Sequence, residues 1–144
     1  MNLAITSISM EKVYKNKNLL HSLSKMNIDE SNESNGGSWF VSSLKEKLLG
    51  TAIIVRKKDE DTIIAWGWLV EKKDKEVLKI AIFVEPYYRR MGIGSKIIKR
   101  ANLILKRRNG KKIVCYPWNE TSGKFFRSQT KYVTPCAYTD FFSE

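Results

Sequence analysis

The clearest pattern in the chain is the run Val77 to Val84, apolar on both faces apart from Lys79. A strand of that kind belongs in the middle of a sheet, covered on both sides. From Ile93 onward the period changes. At about 100° per residue, Ile93, Ile97, Ala101, Ile104 and Leu105 share one face, with Ile98 at its margin. Lys96, Lys99, Arg100, Lys106 and Arg107 lie largely opposite. This predicts an amphipathic helix over Ile93 to Arg108, ended by Asn109-Gly110.

The other elements follow from the same two periods. Asn2 to Ile8 roughly alternates and predicts a first strand. Ser9 is placed to cap a helix whose apolar positions are Met10, Val13, Leu19, Leu20, Leu23 and Met26, interrupted around Lys15 to Asn18. Asn27 to Gly37 is polar, rich in Gly, Ser and Asn, and reads as a loop. Trp39 to Leu49 predicts a short helix with Gly50 as the residue that ends it. Thr51 to Val55 and Ile63 to Val70 predict two strands joined by a turn over Lys57 to Thr62. Gly67 between Trp66 and Trp68 suggests a bulge or a close contact. The two tryptophans share a face and read as core packing ahead of the alternative, an acceptor-site wall. Glu71 to Lys75 is a second turn. Lys112 to Tyr116 predicts a strand stopped by Pro117, and Thr134 to Phe142 a closing strand, or two with a turn at Thr139-Asp140.

Length and composition narrow the classes. The 144 residues suggest one domain, residues 1–144, and the 42% hydrophobic content is enough for a core, which excludes a disordered chain. No apolar run approaches the roughly 20 residues of a membrane helix, so no membrane partner is expected. The first residues lack a basic and then apolar leader, so no secretory signal is expected. Cys115 and Cys136 show no metal spacing, and two such thiols are expected to stay reduced in a cytoplasmic protein. His21 is the only histidine, which argues against a histidine metal site or a Ser-His-Asp triad.

Charge adds a spatial clue. The net charge is +11, from 26 basic and 15 acidic residues. Between Glu85 and Glu120 there is no acidic residue, while the interval holds Arg89, Arg90, Lys96, Lys99, Arg100, Lys106, Arg107, Arg108, Lys111 and Lys112. A one-signed field attracts anions. A phosphorylated small ligand, a nucleic acid, or plain solvation of a lysine-rich surface would each account for it.

The candidate chemistry lies between the central strand and the amphipathic helix, at Val84-Glu85-Pro86-Tyr87-Tyr88-Arg89-Arg90-Met91-Gly92-Ile93-Gly94-Ser95. Pro86 cannot donate to a sheet, so the strand ends there. Gly92 and Gly94 permit a tight turn and close approach of a ligand. A helix starting near Ile93 directs its unpaired first-turn N–H groups into that turn and favours anions there. Arg89 and Arg90 add charge, so the expected ligand is a phosphate or pyrophosphate. A dinucleotide fingerprint is disfavoured because Ile97 stands where its third glycine would be. A P-loop lacks its Gly-Lys-Ser/Thr.

The segment Arg89-x-x-Gly92-x-Gly94, after a strand ending in Val-x-Pro, resembles the acetyl-CoA signature of the GNAT superfamily of N-acetyltransferases. The resemblance implies a single-domain α/β (α+β) fold, a mixed central sheet flanked by helices. It implies acetyl-CoA as co-substrate, with the pantetheine arm along Ile82 and Val84 and the pyrophosphate on Arg89, Arg90, Met91, Gly92, Ile93, Gly94 and Ser95. Further on, Asn119, Ser122, Phe125 and Phe126 stand where the family has an asparagine, a small residue and an aromatic-Tyr pair. Asn119 would reach the pantetheine arm or cap a helix. Phe126 occupies the place of a tyrosine that protonates the leaving thiolate in many members, and it has no proton to give. Thr130-Lys131-Tyr132 replaces the Gly-Phe expected next.

The implied reaction is direct attack of an amine on the thioester, which needs a base, an oxyanion donor and a stabilised thiolate. Glu85 is the candidate base, with Glu71 and Glu76 on the neighbouring strand ends. Tyr132 is the candidate acid, with Tyr116 and Tyr138 as alternatives. The acceptor is open among a small-molecule amine, a protein amine and an aminoacyl-RNA, and a homodimer is compatible with the family. A GNAT-fold module that binds CoA or nucleic acid without acetyl transfer is the alternative.

Overall fold

The computed structural model describes residues 2–26, 47–72, 76–117 and 120–136. Strand β1 (Leu3–Ser9) runs directly into helix α1 (Met10–Lys15). Ser9 caps it, its Oγ accepting from the Lys12 N–H at 3.2 Å. Asn16 ends α1 and at once caps α2 (Lys17–Ser24), its Oδ1 accepting from the Leu19 N–H at 3.0 Å. The interruption anticipated around Lys15 to Asn18 is therefore a shared cap between two short helices.

Strands β2 (Gly50–Lys57), β3 (Thr62–Glu71) and β4 (Val77–Val84) follow. A one-turn 3-10 helix (Pro86–Tyr88) leads to α3 (Ile93–Arg107), β5 (Lys112–Cys115), α4 (Glu120–Arg127) and β6 (Val133–Pro135). The six strands lie side by side in chain order. The pairs from β1 to β4 are antiparallel, and those of β4 with β5 and β5 with β6 are parallel.

Both faces of the sheet are covered. On one face α1 and α2 bury Met10, Val13, Leu19 and Leu23 against Ile54, Trp66, Trp68 and Phe83. On the other, α3 buries Ile93, Ile97, Ile98, Ala101 and Leu105 against Ile53, Val55, Leu78 and Ile80, joined by Phe126 and Val133. Each buried Val, Leu, Ile, Met or Phe side chain among them contributes about 1.5–3 kcal/mol of burial. Ile98 is wholly buried and Ile104 is the marginal member of the helix face, the reverse of what the spacing predicts. Trp66 and Trp68 are core: they meet edge to face at 5.9 Å, and Trp66 stacks on Phe83 at 6.0 Å.

Gly50 and Gly67 both find their reason in the sheet. Gly50 does not end a helix; it opens β2 with φ +150°, and a Cβ there would stand 2.0 Å from the Leu69 carbonyl oxygen. Leu48 and Leu49 are non-helical, and the rest of the helix expected from Trp39 lies outside the described residues. So do the loop over Asn27 to Gly37 and the turn at Thr139-Asp140. Gly67 is a close contact: a Cβ added to it would stand 2.4 Å from Ile97 Cγ2, and the sheet's irregularity sits instead at Val55/Arg56.

The sheet parts in its middle. β4 pairs with β5 from Val77↔Lys112 to Ile80↔Cys115, whereas its pairing with β3 continues to Ala65↔Val84. Ala81 to Val84 thus extend past the β5 ladder with a strand on one side only. Pro117, which has no N–H, stands just beyond the point where β5 stops. Among the described residues, no helix is long and apolar enough to cross a membrane.

Candidate active site

The loop after β4 stands at the mouth of this opening. The Glu85 N–H donates to the Ile64 carbonyl at 2.9 Å, the last tie to β3, and the chain then turns through Pro86–Tyr88. Arg89 is used by the protein itself: its Nε donates to the Val84 carbonyl at 2.8 Å and its guanidinium lies 5.5 Å from the Phe83 ring centre. The side chain expected only to supply charge therefore also braces the turn.

Arg90 and Gly92 both adopt left-handed backbone, with φ of 64° and 79°. The arginine tolerates this at a cost of roughly 1–2 kcal/mol, strain of the kind that gathers at binding sites. Gly92 is the N-cap of α3 and provides no side-chain cap. The first-turn N–H groups of Ile93, Gly94 and Ser95 lie beyond the reach of intrahelical acceptors. A Cβ on Gly92 would meet nothing within 4 Å, so the space beside the N-cap is open. Donors, dipole and open space together can hold a pyrophosphate. Met91 and Tyr87 are exposed on the same loop.

The far wall comes from α4 and the turn after it. The Phe125 ring lies against Gly94. Gln129 Nε2 donates to Ser95 Oγ at 3.0 Å and ties that turn to the start of α3. Nothing in the sequence pattern singles out Gln129, because the contact joins residues far apart in the chain. Phe126 is buried at 7% exposure in the core under α3, beside Phe125 at 5.2 Å. Tyr132 is partly buried against that same core, with Lys131 Nζ 5.5 Å from its ring centre. Asn119 and Tyr138 lie outside the described residues.

Ile82 and Val84 lie on the β4 stretch beyond the β5 ladder and pack on the α3 side. Glu85 lines a cleft of about 540 Å³ walled by Asn16, Ser22 and Lys25 of the helix pair and by Arg56 and Asp61 of the β2–β3 hairpin. Glu85 therefore belongs to that cleft, while Tyr132 packs on the core under α3. Of the other acids considered, Glu71 pairs with Arg108 at 2.9 Å and Glu76 with Lys111 at 2.7 Å, so both serve as surface ties. Cys115, the last paired residue of β5, is fully buried, and burial first, then the nearby Cys136, pushes its thiol up to about 12. It is not a nucleophile at neutral pH.

The chain thus forms a mixed α/β sheet that opens between two parallel strands, with a helix start suited to an anion at the opening. The chain belongs to the acetyltransferase (GNAT) family, whose model matches residues 9–130. Solved structures agree on the fold. An acetyltransferase structure from Exiguobacterium sp. 255-15 aligns with TM-score 0.66 at 12% identity, covering 90% of this chain and 84% of that one. A GNAT family acetyltransferase from Brucella melitensis, in complex with acetyl-CoA, aligns with TM-score 0.63 at 13% identity over 86% and 81% of the two chains. The ribosomal-protein-S18-alanine N-acetyltransferase of Escherichia coli aligns with TM-score 0.63 at 14% identity over 89% and 76%. Comparison with curated protein sequences finds no match.

Proposed function

We propose that this protein is an acetyl-CoA-dependent N-acetyltransferase that works in the cytoplasm, moving an acetyl group to an amine by direct attack in a ternary complex. The observation that carries the reading is the opening between β4 and β5 with the Gly92–Ser95 helix start at its mouth. The pyrophosphate would rest on the amides of Ile93, Gly94 and Ser95, with Arg90 beside it. The pantetheine arm would add to β4 along Ile82 and Val84, taking backbone bonds that β5 leaves unmade there.

In the reaction the amine nitrogen attacks the thioester carbonyl, forming a C–N bond. A β4 amide at the opening supports the oxyanion, the C–S bond breaks, and the thiolate leaves. The proton shed by the nitrogen passes to Glu85, through water. Tyr132 is the hydroxyl assigned to the thiolate, since Phe126 offers none. The acceptor is an amine, and the mixed polar lining of the Glu85 cleft supports a polar carrier for it.

Calorimetric titration of acetyl-CoA at low and moderate salt tests the cofactor half. Binding in the range of about 1 μM to 1 mM that survives salt supports the reading. Absence of binding at both salts overturns it. Thiol release over a panel of amines then tests transfer: cofactor binding without turnover on any amine would leave a CoA-binding module.

A further inference from the structure

On the acceptor reading of the Glu85 cleft just given, we propose that the amine is a small molecule that also carries a carboxylate or phosphate, held at Arg56 and Lys12. The Glu85 cleft does not end at Arg56. A second cleft of about 420 Å³ adjoins it, and the two share Asn16, Leu19 and Arg56. They form one channel between the helix pair and the sheet, from the end of β4 toward β1. Thr6 and Arg56 lie on the face that α1 and α2 cover, since Ile5 and Val55 beside them pack on the other. Arg56 pairs with Ile63 across β2 and β3, and the next residue, Ile64, accepts from the Glu85 N–H. At one strand spacing per step, the backbones of Arg56 and Glu85 are about 10 Å apart.

The channel is polarised. Its two carboxylates, Glu85 and Asp61, line the first cleft together with Lys25. The second cleft has no carboxylate among the described residues that line it, and it adds Lys12 and the hydroxyls of Thr6 and Ser9. Arg56 joins the two ends. Its Nε lies 3.5 Å from Asp61 Oδ1, and its Nη1 donates to Thr6 Oγ1 at 3.4 Å. Both contacts are long and Asp61 is 91% exposed, so the guanidinium can turn to a ligand at little cost. Asn16 spends its Oδ1 on the Leu19 N–H, which leaves its NH2 to donate. Lys12 is exposed, and no ion pair holds it among the described residues.

A guanidinium, an ammonium, hydroxyls and an amide NH2 at one end are the donors that a carboxylate or phosphate takes. Glu85, at the other end, receives the proton of the amine. One charge of each sign on the ligand matches this arrangement. A polyamine would set its second cation against Arg56 and Lys25, and a plain alkylamine would leave the basic end without its anion. Both clefts have the volume that small ligands occupy. The transfer itself is unchanged: the C–N bond forms, the C–S bond breaks and the CoA thiol leaves.

The test follows acetyl transfer and binding over hexylamine, hexane-1,6-diamine, 6-aminohexanoate and 6-aminohexyl phosphate. Wild type should use an anionic member with kcat/KM at least about tenfold above hexylamine, and the diamine least of all. Whichever anionic member leads shows whether the group is a carboxylate or a phosphate. Arg56→Gln should raise KM for that member about tenfold, with kcat within about twofold, and remove the preference over hexylamine. Lys12→Gln should raise the same KM by about threefold. Lys58→Gln, which removes an exposed charge outside both clefts, should change neither. Arg56→Gln is melted alongside, and if it unfolds early Lys12→Gln, on the surface of α1, carries the comparison. Calorimetric titration of the two anionic amines, with and without CoA, reads the same site without turnover. Binding that Arg56→Gln weakens upholds the site even where no acetyl moves, which separates it from the fate of the acetyltransferase reading. Acetylation of hexylamine or the diamine as readily as the anionic amines overturns the proposal and leaves the acetyltransferase standing. So does an anionic preference that survives both substitutions, or that Lys58→Gln weakens equally, since the net charge of +11 would then explain it. Absence of anionic-amine binding in both states overturns it as well.

Discussion

The Phe125 ring closes over Gly94: a Cβ on Gly94 would lie 2.8 Å from Phe125 Cζ and 3.0 Å from Cε1. The second glycine of the loop is thus required by packing, as Gly92 is by its backbone angle. The ring end can lean away, so Gly94→Ala should cost about 1 kcal/mol, the lower part of the overpacking range. It should also weaken acetyl-CoA binding, because the ring and the first-turn amides share one wall. Adding Phe125→Leu should recover most of the stability. Urea denaturation and cofactor titration on the two single variants and the double variant measure both effects, and a strictly additive cycle would show that the contact is unimportant.

Gly67 makes the opposite case, where the neighbour cannot yield. A Cβ there would stand 2.4 Å from Ile97 Cγ2, and Ile97 is fully buried between α3 and the sheet. A β-branched side chain in a helix has one preferred rotamer. Gly67→Ala should therefore cost about 2–3 kcal/mol, read as a lower urea midpoint with an unchanged slope. Pairing it with Ile97→Ala should cost less than the sum of the two single changes.

These glycines also mark what a sequence can and cannot reveal. Gly92 and Gly94 are readable because loop, strand and helix are adjacent in the chain and Pro86 marks the boundary. The central strand and the buried side of α3 are readable from their periods. Gly50 misleads because a glycine after an apolar run looks alike whether it ends a helix or opens a strand; its need comes from Leu69 across the sheet. The parting of β4 from β5, the Arg89 brace on Val84 and the Gln129 tie to Ser95 all join partners whose meeting depends on strand order or side-chain direction. Periodicity carries no information about either.

A half-buried hydroxyl and a buried thiol shape the alkaline behaviour. Burial raises Tyr14 to about 12, and its hydroxyl donates to the Leu48 carbonyl; Cys115 is likewise raised to about 12. Both are neutral acids whose folded values lie above their ordinary ones of 10.0 and 9.0. Their contribution to stability is fully present below pH 9 and is lost as pH rises toward 12, where the unfolded chain ionises first. Melting temperature should fall across that window. Cys115→Ala should make the fall shallower, while thiol reagents at neutral pH should modify Cys136 well before Cys115.

The proposal that Tyr132 protonates the thiolate makes opposite predictions at positions 126 and 132. Phe126 is 7% exposed and packs with Ile98 and Val133 in the core beneath α3. A hydroxyl added there enters apolar surroundings, and an unpaired buried hydroxyl costs about 1–3 kcal/mol. Phe126→Tyr should therefore lower the melting temperature and leave kcat within about twofold of the parent. Tyr132 keeps its ring on the same core while remaining partly accessible. Tyr132→Phe should preserve the fold and the KM for acetyl-CoA but reduce kcat by about tenfold or more, in keeping with loss of a positioned acid. Should Phe126→Tyr instead raise kcat while Tyr132→Phe leaves it unchanged, the proton reaches the sulfur from the α4 side, and the parent enzyme runs its reaction with solvent in place of that hydroxyl.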